Sequence, residues 1–277
     1  MSEERTSRWG AVFSTIVAVA IVVSCGCGSS GTSRMEHITQ DGVLTVGNDT
    51  TYAPFEFVDS SNAPTGFDVD LISAVAAKLG LKAQIVTTAW DGIIPALQSD
   101  KFEAVISAMT ITPDREKEVL FSTPYYRSDM GIVFDRTLHA ISRPDDLAGL
   151  RVGVQIGTTG ESSAHLISGL TDIRAYPDIQ LAMTDLDLGR IDAVVNDYPV
   201  CAYYARDSAV LSVVRVITIN QTNLTQYYGI ALKRGDAELK AAIDRALTDL
   251  VSDGTYDSLY TKWFGEMPEF RPGDKGS

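Results

Sequence analysis

Only a few side chains in this sequence combine a charge with a setting that could hold a polar molecule. Arg115 lies in TPDREKE, just after the apolar run Ala104-Val105-Ile106-Ser107 and at the start of a helix. A guanidinium fork grips a carboxylate through two parallel hydrogen bonds, and amides at a helix start add donors. The plainer alternative is a surface arginine paired with Asp114 or Glu118 on its own helix. Asp197 ends the stretch AVVN, next to Asn196 and before Tyr198-Pro199. Ligands of open α/β sheets meet the carboxyl ends of strands, where a carboxylate can take an ammonium. A turn or helix-cap aspartate is the alternative there. Gly157-Thr158-Thr159-Gly160 runs into a helix expected from Glu161–Ser162, and its amides suit an anion. No Gly-Lys-Ser/Thr follows, so it is not a P-loop.

Other chemistries are poorly supplied. The histidines are His37, His139 and His165, and none stands in a nucleophile-base pattern. Cys25, Cys27 and Cys201 form neither a disulfide framework nor a zinc spacing, and Cys201 reads as a buried thiol. A net charge of −13 opposes nucleic-acid binding. No metal or cofactor is expected, and no enzymatic activity.

The elements that must position these residues alternate along the chain. Strands are expected at 43–46, 84–87 and 104–107, with helices at 71–79 and 92–98 between them. Asp68 or Asp70 is the expected cap of the first helix, and Gly80 its end. The pattern restarts with strands at 150–154, 173–175 and 193–195 and helices at 162–168 and 180–187. Two β-α-β-α-β units predict two lobes, each a mostly parallel sheet flanked by helices. Amphipathic helices follow at 238–252 and 256–264, and the polar tail 268–277 reads as disordered.

The N-terminus reads as a targeting segment. Arg5 and Arg8 precede a 15-residue apolar run, WGAVFSTIVAVAIVV, too short for a spanning helix. Residues 1–24 are expected to be a signal peptide. Val22-Val23-Ser24-Cys25 resembles the lipobox of bacterial lipoproteins, which implies lipidation of Cys25, with Cys27 as the second candidate. Residues 25–40 are then a lipid-bearing, flexible tether to a membrane.

Seven motifs occur in order: NDTTYAPFEF (48–57), GFDVDL (66–71), WDGIIPALQ (90–98), ISAMTITPDREKEVLFSTPYY (106–126), GVQIGTTGES (153–162), DAVVNDYP (192–199) and GTYDSLYTKWFG (254–265). Together they resemble the polar amino-acid binding proteins of ABC importers, which have the type II periplasmic binding fold. The resemblance implies lobe 1 at 41–124 plus 229–267, lobe 2 at 130–223, and a two-strand hinge at 125–129 and 224–228. It implies a monomer that hands a free L-amino acid to permease subunits.

It also implies roles. Arg115 would clamp the ligand carboxylate and Asp197 the ammonium. Ser107, Ala108 and Thr110 would add a hydroxyl and backbone groups from lobe 1, and Thr159 would close from lobe 2. Asp49, Tyr52 and Trp90 would form the side-chain pocket, where aromatic faces attract a cation by ~0.5–2 kcal/mol. Gln155 stands where a glutamine binder is expected to carry lysine, which favours a basic ligand: arginine, lysine, ornithine or histidine before glutamine. A rival on the same scaffold resembles the cyclohexadienyl dehydratases.

Overall fold

The computed structural model describes residues 34–274. The expectations for residues 1–24, Cys25 and Cys27 lie outside them. In chain order the strands of the two main sheets and their crossing are β1 (Val43–Asn48), β2 (Lys82–Thr87), β3 (Ala104–Val105), β4 (Val119–Phe121), β5 (Tyr126–Ser128), β6 (Met130–Asp135), β7 (Arg151–Gln155), β8 (Asp172–Tyr176), β9 (Ala193–Asp197), β10 (Leu211–Val216), β11 (Gln226–Tyr228) and β12 (Ala231–Lys233). The helices are α1 (Arg34–Asp41), α2 (Phe67–Lys78), α3 (Ile93–Gln98), α4 (Pro113–Glu118), α5 (Thr159–Ala164), α6 (Ile179–Asp187), α7 (Tyr198–Ala205), α8 (Ala237–Ser252) and α9 (Thr255–Phe264).

The sheets repeat one plan. The first is ordered β2-β1-β3-β12-β4 and the second β8-β7-β9-β6-β10. In each, the first three strands pair in parallel. The fourth pairs antiparallel with both its neighbours, so four of five strands point one way. The reversed strands, β6 and β12, each follow a crossing strand. Those crossing strands, β5 and β11, pair antiparallel with Gln226 opposite Ser128 and Tyr228 opposite Tyr126. The chain thus leaves the first lobe by β5, builds the second, and returns by β11. Both crossing strands fall within 125–129 and 224–228.

Periodicity explains why the helices sit where they do. Phe67, Leu71, Ile72, Val75 and Ala76 of α2 are buried, as are Leu239, Ile243, Leu247 and Leu250 of α8, and all share one core. Stripes of this spacing must be covered, and the returning helix covers the first lobe. In the second lobe, Ile132, Phe134, Val152, Val154 and Val195 form a separate core on the sheet. Aromatic rings pack the crossing. Phe55 and Tyr126 meet edge-on at 4.9 Å, and Tyr126 stacks on Tyr228 at 5.4 Å.

Several expectations need correction. Residues 34–40 are not a tether: α1 spans Arg34–Asp41 and buries Ile38. Neither Asp68 nor Asp70 caps α2. Its N-cap is Gly66, whose φ of 133° suits glycine, and a Cβ there would lie 2.1 Å from the Phe55 carbonyl oxygen. Asp70 instead accepts from Lys262 and Trp263 of α9. The third strand ends at Val105, short of the expected 107, and Ala108 beyond it takes a left-handed φ of 43°. Helix α5 starts earlier than expected, capped by Thr158, and ends at Ala164. The stretch 268–274 is ordered: Phe270 is buried, and Arg271 grips Asp257 through two hydrogen bonds of 2.8 and 2.9 Å.

Candidate ligand-binding site

The carboxyl ends of β1, β3, β7 and β9 converge on a cleft between the lobes. Asp49, Tyr52, Trp90, Ser107, Ala108, Thr110 and Arg115 line it from the first lobe, and Gln155, Thr159 and Asp197 from the second.

Arg115 reaches the cleft because α4 begins there. Thr112 caps the helix by accepting from the Arg115 amide, and Pro113 follows at the first helical position. The guanidinium donates to the carbonyls of Thr110 at 2.8 Å and Gly157 at 3.2 Å, and lies 4.9 Å from the Trp90 ring centroid. Burial lowers its pKa, and nearby Asp197 opposes this. The surface pairing with Asp114 does not form, since Asp114 pairs with Lys117.

Asp197 ends β9 and occupies the cap position of α7, yet its side chain caps nothing. It is 4% exposed. Its Oδ2 lies 2.7 Å from the Tyr52 hydroxyl, and its buried Oδ1 has no hydrogen-bond partner. Burial raises its pKa, against the hydrogen bonds of Tyr52 and Tyr228 and the Arg115 charge. Tyr52 also lies 2.9 Å from Asn196 Oδ1.

Asp49 faces the cleft from the end of β1. Its carboxylate accepts from the Thr51 hydroxyl at 2.9 Å and from Gln155 Nε2 at 3.1 Å. Burial raises its pKa against these two bonds. The Trp90 indole donates to the Gly157 carbonyl at 3.3 Å. Gly157 makes the turn there with a φ of 70°, where a side chain would be strained. The Thr110 and Thr159 hydroxyls both donate to Gln226 Oε1, at 2.5 and 2.7 Å. The lobes therefore touch through hydrogen bonds along the whole cleft.

Two residues of the site were not among those singled out, and a third was named only as part of the glycine loop. Thr158 sits inside the recognised glycine loop and lines the cleft. Gln226 lies on β11, in the run TQYY, which carries no chemical signal. Glu56 also lines the cleft, fully buried. An acid flanked by two phenylalanines in PFEF is a readable sign of burial. Cys201 is buried in the core, and burial pushes its thiol up.

A cleft between two lobes, with a half-buried cation on one and a buried anion on the other, suits a small zwitterion. Comparison with known proteins agrees in fold. The chain is 37% identical over 216 residues to the putative ABC transporter arginine-binding protein 2 of Escherichia coli K12, covering 77% of this chain and 87% of the relative. An ancestral arginine-binding protein bound to glutamine superposes with a TM-score of 0.75 at 40% identity, covering 81% of this chain and 99% of the other. An ancestral amino acid-binding protein, a precursor of cyclohexadienyl dehydratase, gives 0.78 at 41% identity, covering 84% and 100%. Residues 44–266 match the profile of the bacterial extracellular solute-binding proteins, family 3, and this chain belongs to that family.

Proposed function

We propose that this protein captures a free amino acid outside the cytoplasm, preferring a basic side chain, and presents it to an ABC importer without chemical turnover. The observation that carries the reading is the pair Arg115 and Asp197. They reach one cleft from opposite lobes, and each keeps bonding capacity. Arg115 has five N–H donors and gives two of its nitrogens to carbonyls. Asp197 Oδ1 is buried without a donor. An α-carboxylate and an α-ammonium would complete them. Burying those ligand charges is favourable only when each is paired.

The remaining contacts set the solute class. Asp49, walled by Tyr52 and Trp90, offers a carboxylate to a cationic side chain, and the Escherichia coli relative is named as arginine-binding. A ligand held by Arg115 on 41–124 plus 229–267 and by Asp197 on 130–223 would favour closure about 125–129 and 224–228. Such bridging supplies the differential affinity that a population shift requires. Hinge closure in periplasmic binding proteins is a standard case. A lipid on Cys25 would hold the monomer at the outer face of the cell membrane.

The test is a thermal-shift screen of the soluble chain from Ser29 against the standard amino acids, ornithine and prephenate. Ligand binding to the folded state raises the melting temperature by an amount that grows with the logarithm of ligand concentration over Kd. A large shift with arginine, lysine, ornithine or histidine is expected. A shift with prephenate alone would overturn the reading in favour of a dehydratase.

A further inference from the structure

Glu56 is fully buried and lines the cleft beside Ser107 and Ala108. Its Oε1 accepts from the Ser107 hydroxyl at 2.8 Å, and Ser107 Oγ in turn accepts from the Asp49 amide at 2.9 Å. Asp68, on the first turn of α2, is equally buried. Its Oδ2 accepts from the Ala108 amide and from the Tyr125 hydroxyl, both at 2.7 Å. This leaves Glu56 Oε2 and Asp68 Oδ1, two buried oxygens with no protein donor. The two carboxyl groups are near enough for each to act on the other's titration. Two carboxylates cannot bond to one another, because both only accept; one proton between them is required.

We propose that Glu56 is a positioning residue of the ligand site: it shares one buried proton with Asp68, and this O–H···O bond fastens the Ser107–Ala108 turn. With the proton in place, the donors run in one direction. The Asp49 amide donates to Ser107, Ser107 to Glu56, and Glu56 to Asp68, which ends the chain as the anion. The turn needs fastening because Ala108 holds a left-handed φ of 43°, which an L-residue keeps only when its surroundings impose it. Tyr125, the residue before β5, ties the same anion to the crossing of the lobes.

The electrostatics run the same way. Burial and the adjacent Asp68 push Glu56 well above the usual carboxylate range, while burial raises Asp68 against its hydrogen bonds from Ala108 and Tyr125. Asp49 and Tyr125 are the other titratable groups acting on the pair; Asp49 adds repulsion, and Tyr125 is itself raised and stays a donor. The folded chain thus keeps a proton that the unfolded chain releases near pH 4.3. Stability from this pair is full below that pH and declines as pH rises, until the folded pair gives up its proton.

The inference rests on the proposed function only where ligand affinity is read; the proton is tested without ligand. Carboxyl-carbon NMR of glutamate-labelled protein should show one glutamate protonated at neutral pH, and that signal should be missing in Glu56→Gln. The amide of Glu56→Gln can donate to Asp68 and accept from Ser107. Relative to the parent, the melting temperature of Glu56→Gln should therefore decline less between acid and neutral pH. With L-arginine as probe, Glu56→Ala should lose at least about tenfold in affinity, and Glu56→Gln should recover most of it. Titration of every glutamate in the ordinary range would overturn the shared proton. Equal losses in Glu56→Ala and Glu56→Gln would overturn the positioning role. If the parent binds no L-arginine, the functional reading fails, and the ligand-free titration still decides the pair.

Discussion

Replacing Asp197 by asparagine separates binding from stability. In the free protein the carboxylate is buried, with Tyr52 donating to Oδ2, the Tyr228 hydroxyl also acting on it, and Oδ1 without a geometric hydrogen bond. Asparagine keeps an oxygen for Tyr52 and removes the buried charge. Leaving a buried polar group unsatisfied costs about 1–3 kcal/mol, and more if it is charged. The ligand-free variant should therefore be more stable by about 1–2 kcal/mol. For a chain of this size that raises the melting temperature by about 2–4 °C per kcal/mol. Binding should move the other way. The amide NH₂ would stand where Oδ1 now meets the cleft, opposing a ligand ammonium with a donor. Removing one partner of a buried charge pair costs about 3–5 kcal/mol. At about 1.4 kcal/mol per tenfold, affinity falls by roughly two to four orders of magnitude. Calorimetric titration with the solute from the thermal screen measures the loss, and scanning calorimetry of the free protein measures the gain. An affinity within about threefold of the parent would refute the ammonium role. A less stable free variant would show that Asp197 is instead a structural ion.

Other substitutions probe separate parts of the argument. Asp49→Asn should weaken L-arginine by about 1.5–3 kcal/mol, the scale of a charged hydrogen bond, while affecting L-glutamine less; competition binding measures both. Gly66→Ala should destabilise the fold by about 3 kcal/mol or more, because a Cβ would meet the Phe55 carbonyl at 2.1 Å; denaturant unfolding reads this. Asp192 accepts from the Arg151 amide, Nε and Nη2, which pull its pKa down to about 2. Its contribution is present above the unfolded carboxylate value and lost as pH falls through about 2. Asp192→Asn should therefore cost up to about 1 kcal/mol at neutral pH, since the pair is partly exposed, and nothing at the acid end of a melting-temperature profile.

Much of the architecture was legible because burial imposes a period. The stripe at 67, 71, 72, 75 and 76 marks α2, and the stripe at 239, 243, 247 and 250 marks α8. Helix α7 and strands β6 and β10 were not foreseen. β6 is buried on both faces, so Met130–Asp135 has no polar alternation to read. In α7, apolar residues surround the helix, which leaves no stripe.

The site divides along a similar line. Residue type and position at an element's end marked Arg115, Asp197 and the Gly157–Gly160 loop as able to hold charge, whereas Asp49 was marked only by the order of the motifs that carry the resemblance. Whether they share one cleft was beyond local reading, because 82 positions separate Arg115 from Asp197. Only the crossing of β5 and β11 brings the two sheets together. Glu56, Asp68 and Gln226 show the same limit. Asp68 read as a helix cap, yet it is a buried carboxyl that gathers donors from Ala108 and Tyr125, far along the chain. The sequence by itself determined which groups could bind and which faces had to be buried, because both follow from residue type and short-range period. The tertiary structure decided which of those groups meet and which buried acid keeps a proton, because contact and desolvation depend on neighbours that the chain brings in from a distance.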